Sequence, residues 1–365
     1  METPRTKTLV LFVFHIYNSR VESFINNCIF YDESVDFVII ANDKEEEYNP
    51  EFRGFVESVR RCQSGLSNSL NVDYINRSNV HLVFRDNIGY DFGGWSDALL
   101  TDDFKNLQSP KREHYVENPP FSPKVPSAGE TKSRTKMYQN YDKFIFVNSS
   151  VIGPFLADGY LGNSKICEGE AVNSYELRSP EFQGVAESGG RSKSAIFGRD
   201  AVSYENPRTP SATRPEYFTV NWTDVYLTRL NDNVKLFGST INTCCDPLHK
   251  SHVQSYIFAM EKPALEYLID QGIFSMKKYT QTLDETVRTK EVLMSRKIIE
   301  NGWNIGCLLP YYDNVDFTFK TKRPEDYHIR YLFNDDVLKP QYRNVFWNEY
   351  QLVFIKGNRG ILDGL

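Results

Sequence analysis

The sequence predicts an α/β fold organised on a largely parallel sheet, and three observations carry that reading. Short apolar, β-branched runs recur along the first half of the chain: TLVLFVF, VDFVIIA, VHLVF and FIFV. Runs of this length without polar alternation fit strands buried on both faces. Helical spacing lies between several of them, giving the alternation of a doubly wound unit. Each run also stops on polar residues, and in such sheets ligands sit outside the carboxyl ends of the strands.

The stretch Tyr141 to Phe155, YDKFIFVNSSVIGPF, shows all of this in one place. Phe144 to Val147 reads as a buried strand. Asn148, Ser149 and Ser150 end it, and Gly153-Pro154 turns the chain. These small polar residues are either a site or plain turn formers.

Upstream, Thr8 to Tyr17 reads as a first buried strand ending on His15 and Tyr17. Arg20 to Phe30 has helical spacing. Val35 to Asp43 is a second strand ending on Asn42 and Asp43, and KEEEYNPEFRG after it reads as a solvated loop. Val80 to Asn87 is a third strand. NIGYDFGGWSDALL begins with a glycine-rich turn and is expected to become helical from about Trp95.

Two segments break the pattern. Residues 109–136, rich in Pro, Lys and Ser, and residues 158–216, with ESGGRSKS and ENPRTPSATRP, read as irregular insertions. A strand is expected near Ser194 to Phe197. The first insertion is expected to be mobile and dispensable for folding. Further on, Val234 to Ile241 reads as a strand. HVQSYIFAMEKPALEYLID and ETVRTKEVLMSRKIIENGW have helical spacing, with Gly302 past the end of the second. NEYQLVFIKGNRG is a last strand with a basic turn carrying Lys356 and Arg359. No internal repeat is visible.

Composition excludes several classes. A formal net charge of −6 argues against a nucleic-acid protein. The six cysteines include no CxxC, so a structural zinc site and a disulfide framework are both disfavoured, and free thiols in a reducing cytosol are expected. No run is long enough for a membrane span. The run Leu9 to Phe14 lacks a signal cleavage site, so the three sequons at Asn76, Asn148 and Asn221 are read as chance. The expected location is cytoplasmic, with peripheral membrane association left open. The glycines at 89, 93 and 94 are not GxGxxG, and no Walker, GxSxG or HExxH pattern occurs.

Six blocks together resemble a known family: NIGYDFGGW, YDKFIFVNSSVIGPF, WTDVYLTRLNDNVKLFGSTI, HVQSYIFAM, TKEVLMSRKIIENGWNI and VFIKGNRG. In this order they are similar to the rhamnan-synthesis-F-like glycosyltransferases, over roughly two-thirds of the chain. The resemblance implies a GT-A-type fold: one domain over 1–365, with a nucleotide-binding half over about 1–155 merged with an acceptor half over about 217–365. It implies transfer of a sugar from a nucleotide-sugar donor to a hydroxyl of an oligosaccharide or glycoprotein glycan. The alternative is a catalytically silent nucleotide-sugar or glycan-binding protein on the same fold.

The resemblance also assigns residues. It implies donor contacts from Asn42, Asp43, Asn87, Gly89, Asp91, Asn148, Ser149 and Ser150; the end of the first strand adds His15 and Tyr17 to this expected donor set, and the basic turn after the last strand adds Lys356 and Arg359. It implies acceptor contacts from His252 and Gln254, at the start of a helix. Glu291 is the implied catalytic base, with Ser295 one turn on along the same face, and Asp91, Asp284 and Glu285 are rival carboxylates. In GT-A enzymes the position of Asn148 to Ser150 carries a DxD motif whose acids hold Mn²⁺ or Mg²⁺. Here neither end is a carboxylate, and hard cations want anionic oxygen. A resident divalent metal is therefore in question. Each assignment has a structural counterpart: Asp91 as a helix cap, His15 as a strand-end histidine, Glu291 as a solvated helix residue.

Overall fold

The computed structural model describes residues 6–29, 34–55, 79–102, 135–156, 221–243, 251–327, 341–342, 345–346 and 349–357. Residues 109–134 of the first expected insertion, the whole of the second at 158–216, the expected strand near Ser194, the pair Cys244-Cys245, and Arg359 lie outside them.

A seven-stranded mixed sheet forms the centre. Its members are β1 (Thr8–Phe14), β2 (Asp36–Ala41), β3 (Val80–Phe84), β4 (Lys143–Asn148), β6 (Val234–Gly238), β9 (Ile257–Glu261) and β10 (Asn304–Cys307), in the order β10-β6-β9-β4-β1-β2-β3. β1 pairs in parallel with both β2 and β4, and β2 with β3. β9 runs antiparallel between β4 and β6, and β10 is parallel to β6. The first four strands are those the apolar runs predict. Strands from both halves of the chain share this one sheet.

Burial on both faces explains the lack of alternation. Leu9, Leu11 and Val13 of β1 enter one core, with Phe146, Phe258 and Trp95. Val10, Phe12 and Phe14 enter the other, with Tyr226 and Phe354. Trp95 meets Phe146 and Phe258 edge-on at 5.5 and 5.4 Å, an arrangement aromatic quadrupoles favour.

Four expectations are corrected. HVQSYIFAMEKPALEYLID is not one helix. It forms β8 (His252–Val253), then β9, then a helix over Lys262–Asp270. Pro263 lies in that helix's first turn, where a missing N–H costs nothing, so it marks a start rather than an interior. β8 pairs antiparallel with β7 (Ile241–Asn242). The helix expected from Trp95 instead spans Tyr90–Leu100. Glycine is a poor helix former, but tertiary contact overrides this here. A Cβ on Gly93 would stand 2.0 Å from the Ile88 carbonyl oxygen, so the close approach of the turn requires glycine.

KEEEYNPEFRG is not a solvated loop. Lys44–Tyr48 is a 3-10 helix, and residues 50–55 are helical. Glu46 is buried, where it accepts from Tyr17 N at 3.2 Å and from Asn49 Nδ2 at 3.0 Å. Finally, β10 lies in WNIGC, which carries no long apolar run and was not predicted. The long helix near 285–303 is present, running through Leu283–Thr286, a π-helical stretch over Val287–Val292, and Leu293–Glu300.

Two short pairings finish the described chain. β11 (Gln341–Tyr342) and β12 (Val345–Phe346) are antiparallel. β13 (Ile355–Lys356) pairs antiparallel with β5 (Val151–Ile152), just past β4. Among the described residues the free cysteines are Cys28 and Cys307, both buried. No helix among these residues is long and apolar enough to cross a membrane.

The turn at Gly89 holds φ +74°, and a Cβ there would meet the Tyr279 ring at 2.8 Å. Gly89→Ala is expected to lower unfolding stability by about 1–3 kcal/mol, from left-handed strain and displacement of that ring. Chemical denaturation measures it; an unchanged midpoint would remove the strain argument.

Candidate functional site

The carboxyl ends of β1, β2, β3 and β4 carry a connected set of polar groups. At the end of β2, Asn42 is buried and Asp43 half-buried. Asn42 Nδ2 donates to Asn87 Oδ1 at 2.9 Å and to the Tyr90 carbonyl at 3.0 Å. Its oxygen accepts from Arg85. Asn42 thus acts inward, positioning Asn87. Asn87 Nδ2 in turn stands 3.2 Å from His15 Nδ1, and Asp43 Oδ2 stands 3.7 Å from the same nitrogen. His15 is half exposed. Asp43 also caps the 3-10 helix, accepting from Glu45 N at 2.9 Å.

Arg85 organises the loop that follows β3. Its Nε donates to Asp97 Oδ2 at 2.8 Å, and a terminal nitrogen donates to the Ile88 carbonyl at 2.9 Å. Tyr279 donates to the other Asp97 oxygen. A buried charge pair with every arm satisfied is costly to break. It ties the end of β2, the glycine turn and the Tyr90–Leu100 helix into one piece.

That helix presents Asp91 in its first turn. Gly89 is the cap, and Asp91 does not cap. Instead Asp91 Oδ2 accepts from Asn148 Nδ2 at 3.0 Å. Burial pushes the Asp91 carboxyl up to about 6, and the nearby Glu291 charge pushes the same way. The Asn148 hydrogen bond, Lys356 and His15 pull it back. These influences bring His15, Glu291 and Lys356 within electrostatic reach of Asp91, although they come from four separate parts of the sequence. Perturbed acids in such surroundings concentrate at functional sites.

Asn148 is occupied on both sides. Its oxygen accepts from Ser150 N at 3.0 Å and from Ser150 Oγ at 2.5 Å, using both lone pairs. Ser149 is half-buried in the same turn. The Ser150 carbonyl accepts from Gly357 N at 2.6 Å, and Lys356 pairs with Val151, so the last strand lies against this turn.

Glu291 sits in the π-helical stretch, a deformation often found at functional positions. Its Oε1 accepts from Ser255 N at 2.9 Å, while Ser295 Oγ accepts from Val253 N at 3.0 Å. Both therefore face the β8–β9 connection, as their spacing predicts. The rival acids lie on the surface: Asp284 pairs with Arg288, and Glu285 accepts from Gln281 N.

Three predicted residues fall elsewhere. Tyr17 is buried, its ring 4.9 Å from Phe52 in an aromatic cluster. His252 and Gln254 do not start a helix; both are buried beside β7, and Gln254 Oε1 accepts from Thr240 at 2.7 Å. The signal for this was Pro263, which bars a single helix from 252 to 270.

An open groove of about 880 Å³ runs beside His15 and Asp43, floored by Glu46 and Asn49 and edged by Ile16 and Tyr48. Both edge side chains are largely exposed. Comparison with protein-family models, curated proteins and solved structures gives no match for this chain.

Proposed function

We propose that this chain is a glycosyltransferase of GT-A type, moving a sugar from a nucleotide-sugar to a glycan hydroxyl. The observation that carries the reading is the assembly of Asp91, Asn148, His15, Lys356 and Glu291 at the carboxyl ends of β1 to β4. This is the edge at which open parallel sheets take nucleotides. The resemblance of the six sequence blocks to rhamnan-synthesis-F-like enzymes supports the same reading.

In this proposal the groove beside His15 and Asp43 receives the nucleoside, and the Asn148–Ser150 turn with Lys356 receives the diphosphate. Glu291, fixed by the Ser255 N–H, takes the proton of the acceptor hydroxyl as that oxygen bonds to the anomeric carbon. The bond from that carbon to the diphosphate oxygen breaks, and the nucleoside diphosphate leaves with the electron pair. Ionised Asp91 opposes the positive charge that develops on the sugar.

A divalent metal held as in DxD enzymes does not fit these residues. Both lone pairs of the Asn148 oxygen are committed to Ser150. Among the described residues, no group of three or more His, Cys, Asp or Glu is placed to hold a metal ion. The chemistry above uses protein groups alone.

A thermal-shift panel of UDP-, GDP- and dTDP-sugars, with Mn²⁺ or with EDTA, tests both points. At least one donor is expected to raise the melting temperature in EDTA. Silence across the panel with either addition would contradict the proposal. A shift that needs Mn²⁺ would contradict the metal-free site alone.

A further inference from the structure

The acid on the floor of the groove beside His15 has one oxygen unused. Glu46 is only 8% exposed. Its Oε2 accepts from Tyr17 N at 3.2 Å and from Asn49 Nδ2 at 3.0 Å, which commits both lone pairs of that oxygen. Among the described residues Oε1 meets no donor, and Glu46 has no ion-pair partner. Oε1 is not sealed inside the protein either, since Trp95 Nε1 is the one buried side-chain polar atom among these residues without a partner. It therefore opens into the groove that Glu46 lines. A carboxyl group nine-tenths out of water with an idle oxygen suits a ligand that donates.

The rest of the groove narrows the choice. Asp43, Glu45 and Glu51 also line it, and no Lys or Arg is among its described lining residues. The Asn49 oxygen is already taken by Glu51 N at 3.0 Å and Phe52 N at 3.2 Å. The free polar groups are thus mostly acceptors. At the rim, Tyr48 is 64% and Ile16 57% exposed, which offers apolar surface to a flat ring. Among the common nucleobases guanine alone presents two adjacent donors, N1–H and the 2-amino group. Uracil and thymine flank a single N–H with two carbonyl oxygens, which carboxylates repel. Adenine and cytosine set their amino group beside an acceptor ring nitrogen.

We propose that this groove selects guanine, so that the sugar donor is a guanosine diphosphate sugar. Glu46 Oε1 accepts from N1–H and the 2-amino group, and Tyr48 and Ile16 border the ring. The proposal rests on the nucleotide-sugar reading and adds the base to it. In sequence Glu46 is one of three consecutive acids in KEEEY, and burial is what separates it from Glu45 and Glu47, both exposed.

Calorimetric titration of the full chain and of Glu46→Gln with GDP, IDP, XDP, UDP and dTDP tests this. Tyr17 N and Asn49 Nδ2 both donate to this side chain, so the amide oxygen of Glu46→Gln turns to them and its NH₂ faces the groove. Wild type is expected to bind GDP at least about tenfold tighter than UDP or dTDP, and IDP, which lacks the 2-amino group, about tenfold more weakly than GDP. Glu46→Gln should lose about tenfold in GDP affinity and prefer XDP, whose 2-carbonyl accepts from the new amide. Circular dichroism melts establish that the variant folds; if it does not, the GDP–IDP comparison on wild type decides. UDP or dTDP binding as tight as GDP, or GDP binding unchanged in folded Glu46→Gln, overturns guanine selection and leaves the glycosyltransferase reading standing. The expected pattern without release of GDP from any GDP-sugar supports guanine selection and overturns that reading. Absence of binding by every nucleotide overturns both.

Discussion

Asp91→Asn is expected to abolish sugar transfer while making the protein more stable at neutral pH. The carboxyl is half-buried, and its affinity for a proton is raised from 3.8 to about 6. The folded state thus holds this proton more tightly than the unfolded chain does. The stabilisation from protonation is complete below about pH 3.8 and is lost as pH rises through about 6. At pH 8 the ionised carboxylate is a strain on the fold that the amide removes. Allowing for solvent screening, the variant should gain about 1–2 kcal/mol at pH 8. The gain should vanish near pH 4. Asn keeps an oxygen that can accept from Asn148 Nδ2, so the turn at β4 is retained. On the proposed mechanism, what is lost is the negative charge opposite the positive charge that develops on the sugar. On the same proposal, donor turnover by the native protein should likewise fall on acidification through about pH 6. Melting curves at pH 4 and 8 check the sign; a variant less stable than wild type at pH 8 would contradict it.

Glu291→Gln is expected to lower turnover by about 10²–10⁴, the usual contribution of a general base. The amide oxygen can still accept from Ser255 N, so the π-helical stretch and the β8–β9 connection should hold their places. Donor affinity should stay within about twofold, since a role in the transition state alone lowers kcat without weakening ground-state binding. Steady-state kinetics with direct donor titration separates the outcomes. Parallel loss of affinity and turnover would make Glu291 a binding residue.

The parts of the fold legible in the sequence are those with no competing signal. β1 and β4 are continuous apolar runs, and nothing but a doubly buried strand suits them. β9 was hidden because its short apolar run, Ile257–Met260, passes into the helix over Lys262–Asp270 with only Glu261 between them, so strand and helix read as one segment of helical spacing. Its reversed direction also cannot be read from composition. The helix over Tyr90–Leu100 was shortened by two glycines that serve packing rather than propensity.

The site divides in the same way. Asn148 is marked by its strand end, and Asp91 and Glu291 by the family resemblance; the structure brings them into electrostatic reach of one another. Arg85 was missed because a buried arginine looks like a surface one in sequence. Only its contacts with Asn42, Asp97 and Ile88 reveal what it holds. Tyr17 and Asn42 were read as facing ligand because strand ends were expected to point outward. Burial turned Tyr17 into core and Asn42 into a support for Asn87.

Under the proposed function, a nucleotide-sugar is cleaved at the end of β4, beside Asp91. Release of nucleoside diphosphate from the panel of UDP-, GDP- and dTDP-sugars, compared between wild type and Asp91→Asn, tests it most directly. Slow release from at least one donor, supported by EDTA-treated wild type and absent in Asp91→Asn, is the predicted result. Equal release by both proteins, or none from any donor by wild type, would contradict the claim.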